Sequence, residues 1–265
     1  MYLTFSKYQG AGNDFIMIDN RKSVFPIIHR NNIIQQLCHR RFGIGGDGLI
    51  LLEEDTDLNF KMIYFNADGN ESTMCGNGGR CIAAFAKELN IIQNHALFNA
   101  IDGKHHVELI NDSIIELQMN NVSSLELGPD TAVLNTGSPH YVVFVDDLSK
   151  INVVELAKKI RYNDRYTKDG INVNFAQWNE DRLLVNTYER GVEDETLACG
   201  TGITASVLAW NELYGHQSSG DIKVIAKGGN LSVRFEKIGK EYVNIWLCGP
   251  AVKVFDGKIE LLVEL

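Results

Sequence analysis

The 265-residue chain has few of the features that mark secreted, membrane-bound or nucleic-acid-binding proteins. Its five cysteines are odd in number and lie far apart, which argues against a disulfide framework and favours a reducing cytoplasm. No apolar run reaches the roughly 20 residues of a membrane-spanning helix. The net charge of −9 argues against a nucleic-acid surface, because phosphate binding requires concentrated Lys and Arg. No cysteine or histidine cluster has zinc spacing, so we expect no metal ion.

The remaining composition is that of a globular protein, with 45% apolar and 22% charged residues. Four prolines and the absence of low-complexity segments give no indication of a disordered tail. The length suits one large domain or two domains of ordinary size.

A short phrase occurs twice in the chain. Cys75–Gly78 reads Cys-Gly-Asn-Gly, and Cys199–Gly202 reads Cys-Gly-Thr-Gly 124 positions later. Other residues recur at nearly the same offset, among them Gly45 with Gly170. A constant offset over this much chain indicates one duplicated unit rather than a short array of repeats.

Each half of the chain shows the same succession of patterns. Alternating apolar residues predict strands over 60–65 and 183–188, and helical stretches are predicted over 33–41 and 154–160. The run after each repeated cysteine is apolar on nearly all sides, which is typical of a buried helix. We therefore expect an α+β fold in which short strands surround a central helix in each half.

The domain boundary is expected near residues 120–129, where Asn and Gly-Pro interrupt the pattern. We predict an N-terminal domain over residues 1–121, completed by a C-terminal strand near 256–265. The second domain is predicted over residues 122–255.

The repeated cysteines lie where a thiol can be made reactive. The first turn of a helix has unpaired backbone N–H groups and a partial positive charge, which lower the pKa of a thiol there. The same N–H groups can bind a carboxylate, and the glycines let a ligand come close to the backbone. Two such helix starts facing one substrate could move a proton from one face of a carbon to the other.

Other interpretations of the thiols remain open. A cysteine is most often a small buried structural residue, and we assign Cys38, Cys81 and Cys248 to that class. The repeated setting favours chemistry for Cys75 and Cys199, with a structural disulfide between them as the alternative. A thiol-redox function is disfavoured because the chain has no Cys-x-x-Cys.

Short motif blocks follow one another along the chain. They are Gly10–Phe15, Phe42–Gly45, Phe65–Gly69, Met74–Cys81, Gly137–His140, Gly170–Asn172, Glu189–Gly191 and Glu195–Gly202. In this order the blocks resemble the diaminopimelate epimerase family, and the resemblance runs from residue 5 to about residue 257.

The resemblance implies both a fold and a reaction. The fold would have two pseudo-symmetric, strand-rich, barrel-like domains, each around a central helix, with the active site in the cleft between them. The enzyme would be a homodimer that interconverts LL-2,6-diaminopimelate and meso-diaminopimelate without pyridoxal phosphate or another cofactor. Its product would feed lysine and peptidoglycan precursor synthesis.

The resemblance also implies roles for individual residues. Cys75 and Cys199 would be the two bases, one a thiolate and the other a thiol. His140 and Glu189 would lie close to them and help to set their protonation. The backbone N–H groups that would hold the reacting carboxylate belong to Gly76, Asn77, Gly200 and Thr201. The side chains that would recognise the amino and carboxylate groups are Asn13, Asn66, Asn172, Glu189 and Arg190, with Arg190 on the distal carboxylate.

Two positions depart from some family members. Gly48 stands where some have a glutamine that reaches the substrate, and Ser138 stands where many have asparagine. Each difference shortens or removes a polar side chain. Such a change would affect how the amino groups of the substrate are bound and not the reaction itself. Asp47, next to glycine, is interpreted as a turn residue, and the three asparagines could be turn residues too.

Two other functions remain as alternatives. A proline or hydroxyproline racemase would use the same pair of thiols, but such a substrate has no distal charge for Arg190. A non-catalytic amino-acid-binding module of the same fold would keep the cleft without the reaction. The intact pair of cysteines argues against that module.

Overall fold

The computed structural model describes residues 2–72 and 74–261. The chain forms two compact units, Met1–Leu117 with Pro250–Leu265, and Gln118–Gly249. The domain boundaries expected from the sequence, after residue 121 and after residue 255, stay a prediction. The last residues of the predicted C-terminal strand, 262–265, lie outside the described residues.

The first unit contains most of the strands of the N-terminal half and two helices. Its helices are α1 (Arg30–Cys38) and α2 (Gly76–Glu88). Its strands are β1 (Tyr2–Gly10), β2 (Asn13–Asp19), β3 (Gly48–Glu53), β4 (Phe60–Asn66), β5 (Glu71–Ser72), β6 (His95–Ala100), β7 (Gly103–Leu109), β8 (Ile114–Gln118) and, from the end of the chain, β18 (Val252–Glu260).

The strands of the first unit pair in one continuous series. The order is β18, β1, β2, β3, β4, β6, β7, β8. The pairs β2–β3 and β4–β6 are parallel, and the others are antiparallel. Helix α2 lies against β1, β2, β3, β7 and β18. It is buried from Gly76 to Ala83, and within that stretch the guanidinium of Arg80 donates a hydrogen bond of 2.7 Å to Asn77 Oδ1.

The second unit is contiguous in sequence. Its helices are α3 (Val153–Arg161) and α4 (Gly200–Trp210), and a π-helical turn over Asn211–Gly215 follows α4. Its strands are β9 (Leu125–Leu127), β10 (Thr131–Asn135), β11 (Pro139–Phe144), β12 (Asn172–Asn179), β13 (Arg182–Glu189), β14 (Asp194–Thr196), β15 (Ser219–Ala226), β16 (Gly229–Ile238) and β17 (Glu241–Pro250).

The second unit repeats the strand series of the first. The order is β9, β10, β11, β12, β13, β15, β16, β17, with β11–β12 and β13–β15 parallel. Helix α4 is buried at every residue except Thr201 and lies against β10 to β13 and β16. Two strand-rich units built alike around one buried helix each confirm the predicted fold class.

One predicted helix is displaced. The helix expected over 33–41 begins at Arg30 and ends at Cys38. It stops there because the Leu37 carbonyl accepts hydrogen bonds from the N–H groups of Ile44 and Gly45, so the chain turns back instead of continuing the helix. Within the described residues, no helix is long and apolar enough to cross a membrane.

Candidate active site

Cys75 is the residue that caps the start of α2. Its backbone is extended, with φ −94° and ψ 130°, and its side chain does not cap the helix. The bond from Gly79 N–H to the Cys75 carbonyl (2.7 Å) is the first of the helix. The N–H groups of Gly76 and Asn77 therefore precede the first intrahelical bond, at the positive end of the helix dipole. This is the geometry of an anion site beside a thiol.

Cys199 stands in the same position at the start of α4. Its φ is −109° and its ψ 110°, and its side chain also leaves the helix start uncapped. The first helical bond runs from Ile203 N–H to the Cys199 carbonyl (2.9 Å). The N–H groups of Gly200 and Thr201 thus match those of Gly76 and Asn77. The sequence repeat is a repeat of local geometry at both cysteines.

The surroundings of the Cys75 sulfur are set by Asn13. Asn13 Oδ1 lies 3.8 Å from Cys75 Sγ and accepts a hydrogen bond of 3.2 Å from Asn77 Nδ2. Asn13 Nδ2 donates to the Asp47 carboxylate. Because a carboxylate can only accept, this bond holds the amide with its oxygen towards the thiol.

Asp47 belongs to a charged network rather than to a simple turn. Arg40 Nη2 donates to Asp47 Oδ1 and to Asp14 Oδ1, both at 2.7 Å. The buried ammonium of Lys7 lies 2.8 Å from Asp14. Burial alone would raise the pKa of Asp14, but the hydrogen bonds from Arg40 and Lys7 outweigh it and hold that pKa well below its usual range. The network fixes Asp47 and, through it, Asn13.

The surroundings of the Cys199 sulfur are different. Cys199 Sγ lies 3.4 Å from the Thr201 hydroxyl, which in turn lies 2.9 Å from His140 Nε2. His140 is fully buried. Burial and then the positive charge of Arg190 lower the pKa of His140 to about 3, so its ring is neutral at pH 7. His140 is therefore connected to Cys199 through the hydroxyl of Thr201. The sequence predicts a role only for the backbone N–H of Thr201.

Sequence reasoning missed two further buried residues, Asn174, which contacts His140, and Thr187, which contacts Asn174. Asn174 Nδ2 lies 3.1 Å from His140 Nδ1, and Thr187 Oγ1 donates to Asn174 Oδ1 at 2.9 Å. Both residues are almost fully buried. The sequence did contain a signal for Asn174. It lies two positions after Asn172 in a strand of mostly apolar residues, and residues i and i+2 of a strand share a face.

Arg190 and Asn172 form one group with Ser138. Asn172 Oδ1 accepts from the Arg190 N–H (2.8 Å), and Asn172 Nδ2 donates to Ser138 Oγ (2.9 Å). The guanidinium of Arg190 is exposed and donates to the Asp169 carbonyl (3.0 Å). Asn172 thus supports Arg190 and Ser138, and Arg190 Nη2 lies 3.5 Å from Ser138 Oγ at the exposed surface.

The remaining predicted residues occupy strand ends. Asn66 ends β4 and is exposed, and Glu189 ends β13 and is half-buried. Gly48 pairs with Asn66 across β3 and β4. A Cβ at Gly48 would lie 2.4 Å from the Phe65 carbonyl oxygen and 2.6 Å from Tyr64 Cε2. The Phe65 carbonyl and the Tyr64 ring therefore leave no room for a side chain at position 48.

Two of the thiols assigned to structural roles, Cys38 and Cys81, are buried. Burial raises the pKa of Cys81 to about 12 and that of Cys38 to about 12, so both remain protonated thiols at neutral pH. Over residues 2–72 and 74–261, no group of three or more His, Cys, Asp or Glu side chains is placed to hold a metal ion.

Known proteins resemble this chain over nearly its whole length. The chain matches the family model of diaminopimelate epimerases over residues 5–124 and 132–254. The diaminopimelate epimerase of Flavobacterium psychrophilum is 53% identical over 254 residues, which cover 96% of this chain and 98% of that protein. This chain belongs to the diaminopimelate epimerase family. The diaminopimelate epimerase of Chlorobaculum tepidum is 42% identical over 261 residues, covering 95% and 99% of the two chains. The family resemblance indicated by the motifs is confirmed.

Solved structures of more distant proteins share the fold of the diaminopimelate epimerase family. A phenazine biosynthesis protein of the PhzF family from Bacillus anthracis has a TM-score of 0.77 at 13% identity, covering 98% of this chain and 100% of its own. A hydroxyproline epimerase from Agrobacterium vitis has a TM-score of 0.71 at 13% identity, covering 99% and 94%. At these identities the likeness concerns the fold, which is two-domain and barrel-like.

Proposed function

We propose that the protein is an isomerase that interconverts LL-2,6-diaminopimelate and meso-diaminopimelate by proton transfer between two thiols and one α-carbon. The observation that carries the proposal is the pair of cysteines at matching helix starts, in a chain of the diaminopimelate epimerase family. The reaction needs no pyridoxal phosphate or metal ion in this scheme. Its product serves lysine and peptidoglycan precursor synthesis.

The two thiols differ in a way that suits an acid and a base. Asn13 Oδ1 can only accept, so its contact with Cys75 Sγ favours the protonated thiol. The Thr201 hydroxyl can donate to Cys199 Sγ, which stabilises a thiolate. We assign Cys199 as the base and Cys75 as the acid in the resting enzyme. After one turnover the roles are exchanged, as reversal of the reaction requires. Glu189 is proposed to act with His140 on the protonation of the thiols.

The largest contribution to the rate is proposed to come from the helix starts. An α-hydrogen beside a carboxylate is far less acidic than a thiol, whose reference pKa is near 8.5. The N–H groups of Gly76, Asn77, Gly200 and Thr201 are fixed dipoles that would stabilise the negative charge growing on the carboxylate. Loss of one such donor typically costs about 10² to 10³ in rate.

Recognition of the rest of the substrate is assigned to polar strand ends. The exposed guanidinium of Arg190 is suited to the distal carboxylate, because its forked donors match that group. Asn13, Asn66, Asn172 and Glu189 are proposed to recognise the amino and carboxylate groups, with Asn172 acting through Arg190 and Ser138.

The decisive experiment is hydrogen exchange without added cofactor. Incubation with LL-diaminopimelate in deuterated water should place deuterium at one α-carbon while meso-diaminopimelate forms. A panel of amino acids that includes proline and hydroxyproline is the control. Exchange with proline alone would replace the proposal with the racemase alternative. Absence of exchange with every compound would favour a binding module.

Two further features belong to the proposal. We propose a homodimer, as the family resemblance implies, and sedimentation of the full chain would test it. We also propose a cytoplasmic location, because reactive thiols persist in a reducing compartment. Fractionation of cells that produce the protein would test that location.

A further inference from the structure

We infer that Asn174 is a positioning residue that fixes the proton of His140 on Nε2 and thereby directs a hydrogen-bond relay from His140 through Thr201 to the sulfur of Cys199. The inference rests on the proposed function only in treating Cys199 as the base. Every contact in the relay lies within the second unit.

The first step is the orientation of the Asn174 amide. Asn174 Nδ2 lies 3.3 Å from the Tyr141 carbonyl oxygen, which can only accept. The Thr187 hydroxyl donates to Asn174 Oδ1 at 2.9 Å on the other side. The end of the amide that faces Tyr141 and His140 is therefore the NH₂ group. The hydrogen-bonding partners of Asn174 therefore decide which end of its amide is oxygen and which is nitrogen.

The second step is the position of the proton on His140. Asn174 Nδ2 donates to His140 Nδ1 across 3.1 Å, so Nδ1 must carry a lone pair. The imidazole is neutral, since burial keeps its pKa far below 7. A neutral imidazole has one N–H, which must then be on Nε2.

The third step connects the tautomer of His140 to the thiol of Cys199. Nε2–H donates to the Thr201 oxygen at 2.9 Å. With its oxygen already accepting there, the Thr201 hydroxyl has its own hydrogen available for Cys199 Sγ, 3.4 Å away. Thr201 is held in place because its carbonyl accepts a hydrogen bond from the Thr136 hydroxyl (2.8 Å). With the other tautomer, Thr201 would donate to Nε2 and could not donate to the sulfur.

The close fit around Asn174 supports a dedicated role. Asn174 is fully buried, and a Cβ at Gly202 would lie only 2.3 Å from Asn174 Oδ1. The Asn174 amide thus contacts the first turn of α4 at Gly202, the residue that follows Thr201. The donors and the acceptor of the Asn174 amide all have hydrogen-bond partners. Only one arrangement of its hydrogens is therefore possible.

The test uses readouts that need neither substrate nor turnover. Long-range ¹H–¹⁵N NMR correlations of the His140 ring distinguish the two neutral tautomers. The pH dependence of the alkylation rate of Cys199, followed by peptide mass spectrometry, gives the pKa of its thiol. We expect the full-length protein to carry the His140 proton on Nε2. We expect Asn174→Leu to populate the Nδ1–H tautomer and to raise the Cys199 pKa by about one to two pH units, the value of one hydrogen bond to a charged group.

Thr187→Val is the matched control. It removes a buried hydrogen bond to the same amide but leaves the Tyr141 carbonyl to orient it, so it should lower stability without moving the tautomer or the Cys199 pKa. Thr201→Val should raise the Cys199 pKa as Asn174→Leu does, and Thr201→Ser should restore it. These variants also test the relay if Asn174→Leu does not fold.

Several results would overturn the inference. One is an Nδ1–H tautomer in the unmodified protein, which can be read without any variant. Another is an unchanged Cys199 pKa in Thr201→Val or in folded Asn174→Leu, and a third is an equal shift in Thr187→Val. None of these outcomes depends on diaminopimelate, so a failed exchange assay would count against the proposed function alone.

Discussion

Gly202 and Asn174 approach so closely that the glycine has no room for a side chain. A Cβ at Gly202 would lie 2.3 Å from Asn174 Oδ1 and 3.3 Å from His140 Cε1. Gly78 is the equivalent third residue of α2, and there a Cβ would first meet the flexible end of Ile50, at 3.0 Å. Two glycines at the same helical position are therefore under different constraints.

We expect Gly202→Ala to be much more damaging than Gly78→Ala. The first should lower the free energy of unfolding by about 1–3 kcal/mol, the usual range for overpacking, and Gly78→Ala by less. Displacement of the helix start should also lower kcat/KM for diaminopimelate by roughly 10²-fold. Urea denaturation and steady-state kinetics measure both effects. Equal losses in the two variants would contradict the packing difference.

The second prediction concerns the two repeated thiols and one buried thiol. Cys75→Ala and Cys199→Ala should each abolish epimerisation, because each removes one of two required proton carriers. Cys38→Ala is the control, since its thiol is buried with a pKa of about 12. It should keep normal turnover and lose about 1 kcal/mol of stability. Normal turnover in either of the first two variants would remove that cysteine from the mechanism.

The third prediction concerns the pH dependence of stability. His140 has a pKa of about 3 when folded, against about 6.5 when unfolded. Between these values the unfolded chain binds more protons, so stability rises with pH. The contribution is complete above about pH 6.5 and is lost as the pH falls towards 3, with a slope of up to about 1.4 kcal/mol per pH unit.

His140→Gln should remove this slope. Urea denaturation of the unmodified protein and the variant between about pH 4.5 and 7 would show it. The exposed His95 provides the control, as His95→Gln should keep the slope of the unmodified protein. The carboxyl of Asp14 acts below this pH range, because the unfolded chain binds its proton only near the ordinary pKa of 3.8 and the pKa of Asp14 in the folded chain is lower still. Parallel curves for His140→Gln and the unmodified protein would refute the prediction.

The fourth prediction concerns the exposed guanidinium of Arg190. Arg190→Ala should lower kcat/KM for diaminopimelate by roughly 10- to 100-fold, the value of a hydrogen-bonded charge pair. Arg190→Lys should recover only part of the loss, because an ammonium cannot bind a carboxylate in a fork. Arg165 provides a control in the same unit, since its exposed pair with Glu126 contributes little. An Arg165→Ala effect as large as that of Arg190→Ala would indicate a general charge effect.

Local patterns were enough to predict the fold class and the two helix starts. Cys-Gly-x-Gly followed by an apolar run defines a buried helix and its first turn within a few residues, and both copies are where the sequence places them. The end of α1 was predicted three residues too late, because it depends on loop N–H groups that bind the Leu37 carbonyl.

The residues that support the site were harder to predict. Asn174 faces Thr187 only because β12 and β13 pair in that register, and Asp47 meets Asn13 across 34 positions of chain. Such partners are chosen by strand pairing, which a single sequence does not specify. Gly48 has no room for a side chain beside the Phe65 carbonyl and the Tyr64 ring of the paired strand β4, which is again a cross-strand relationship.

The strand β18 has a consequence for synthesis of the chain on the ribosome. The first unit takes a strand that pairs with β1 from residues 252–260, whereas the second unit is contiguous over Gln118–Gly249. During translation from the N-terminus, the earlier-made unit must therefore wait for residues 252–260 to emerge. The half that is made second can complete its own strand series first, and the edge of β1 that pairs with β18 stays uncovered until then.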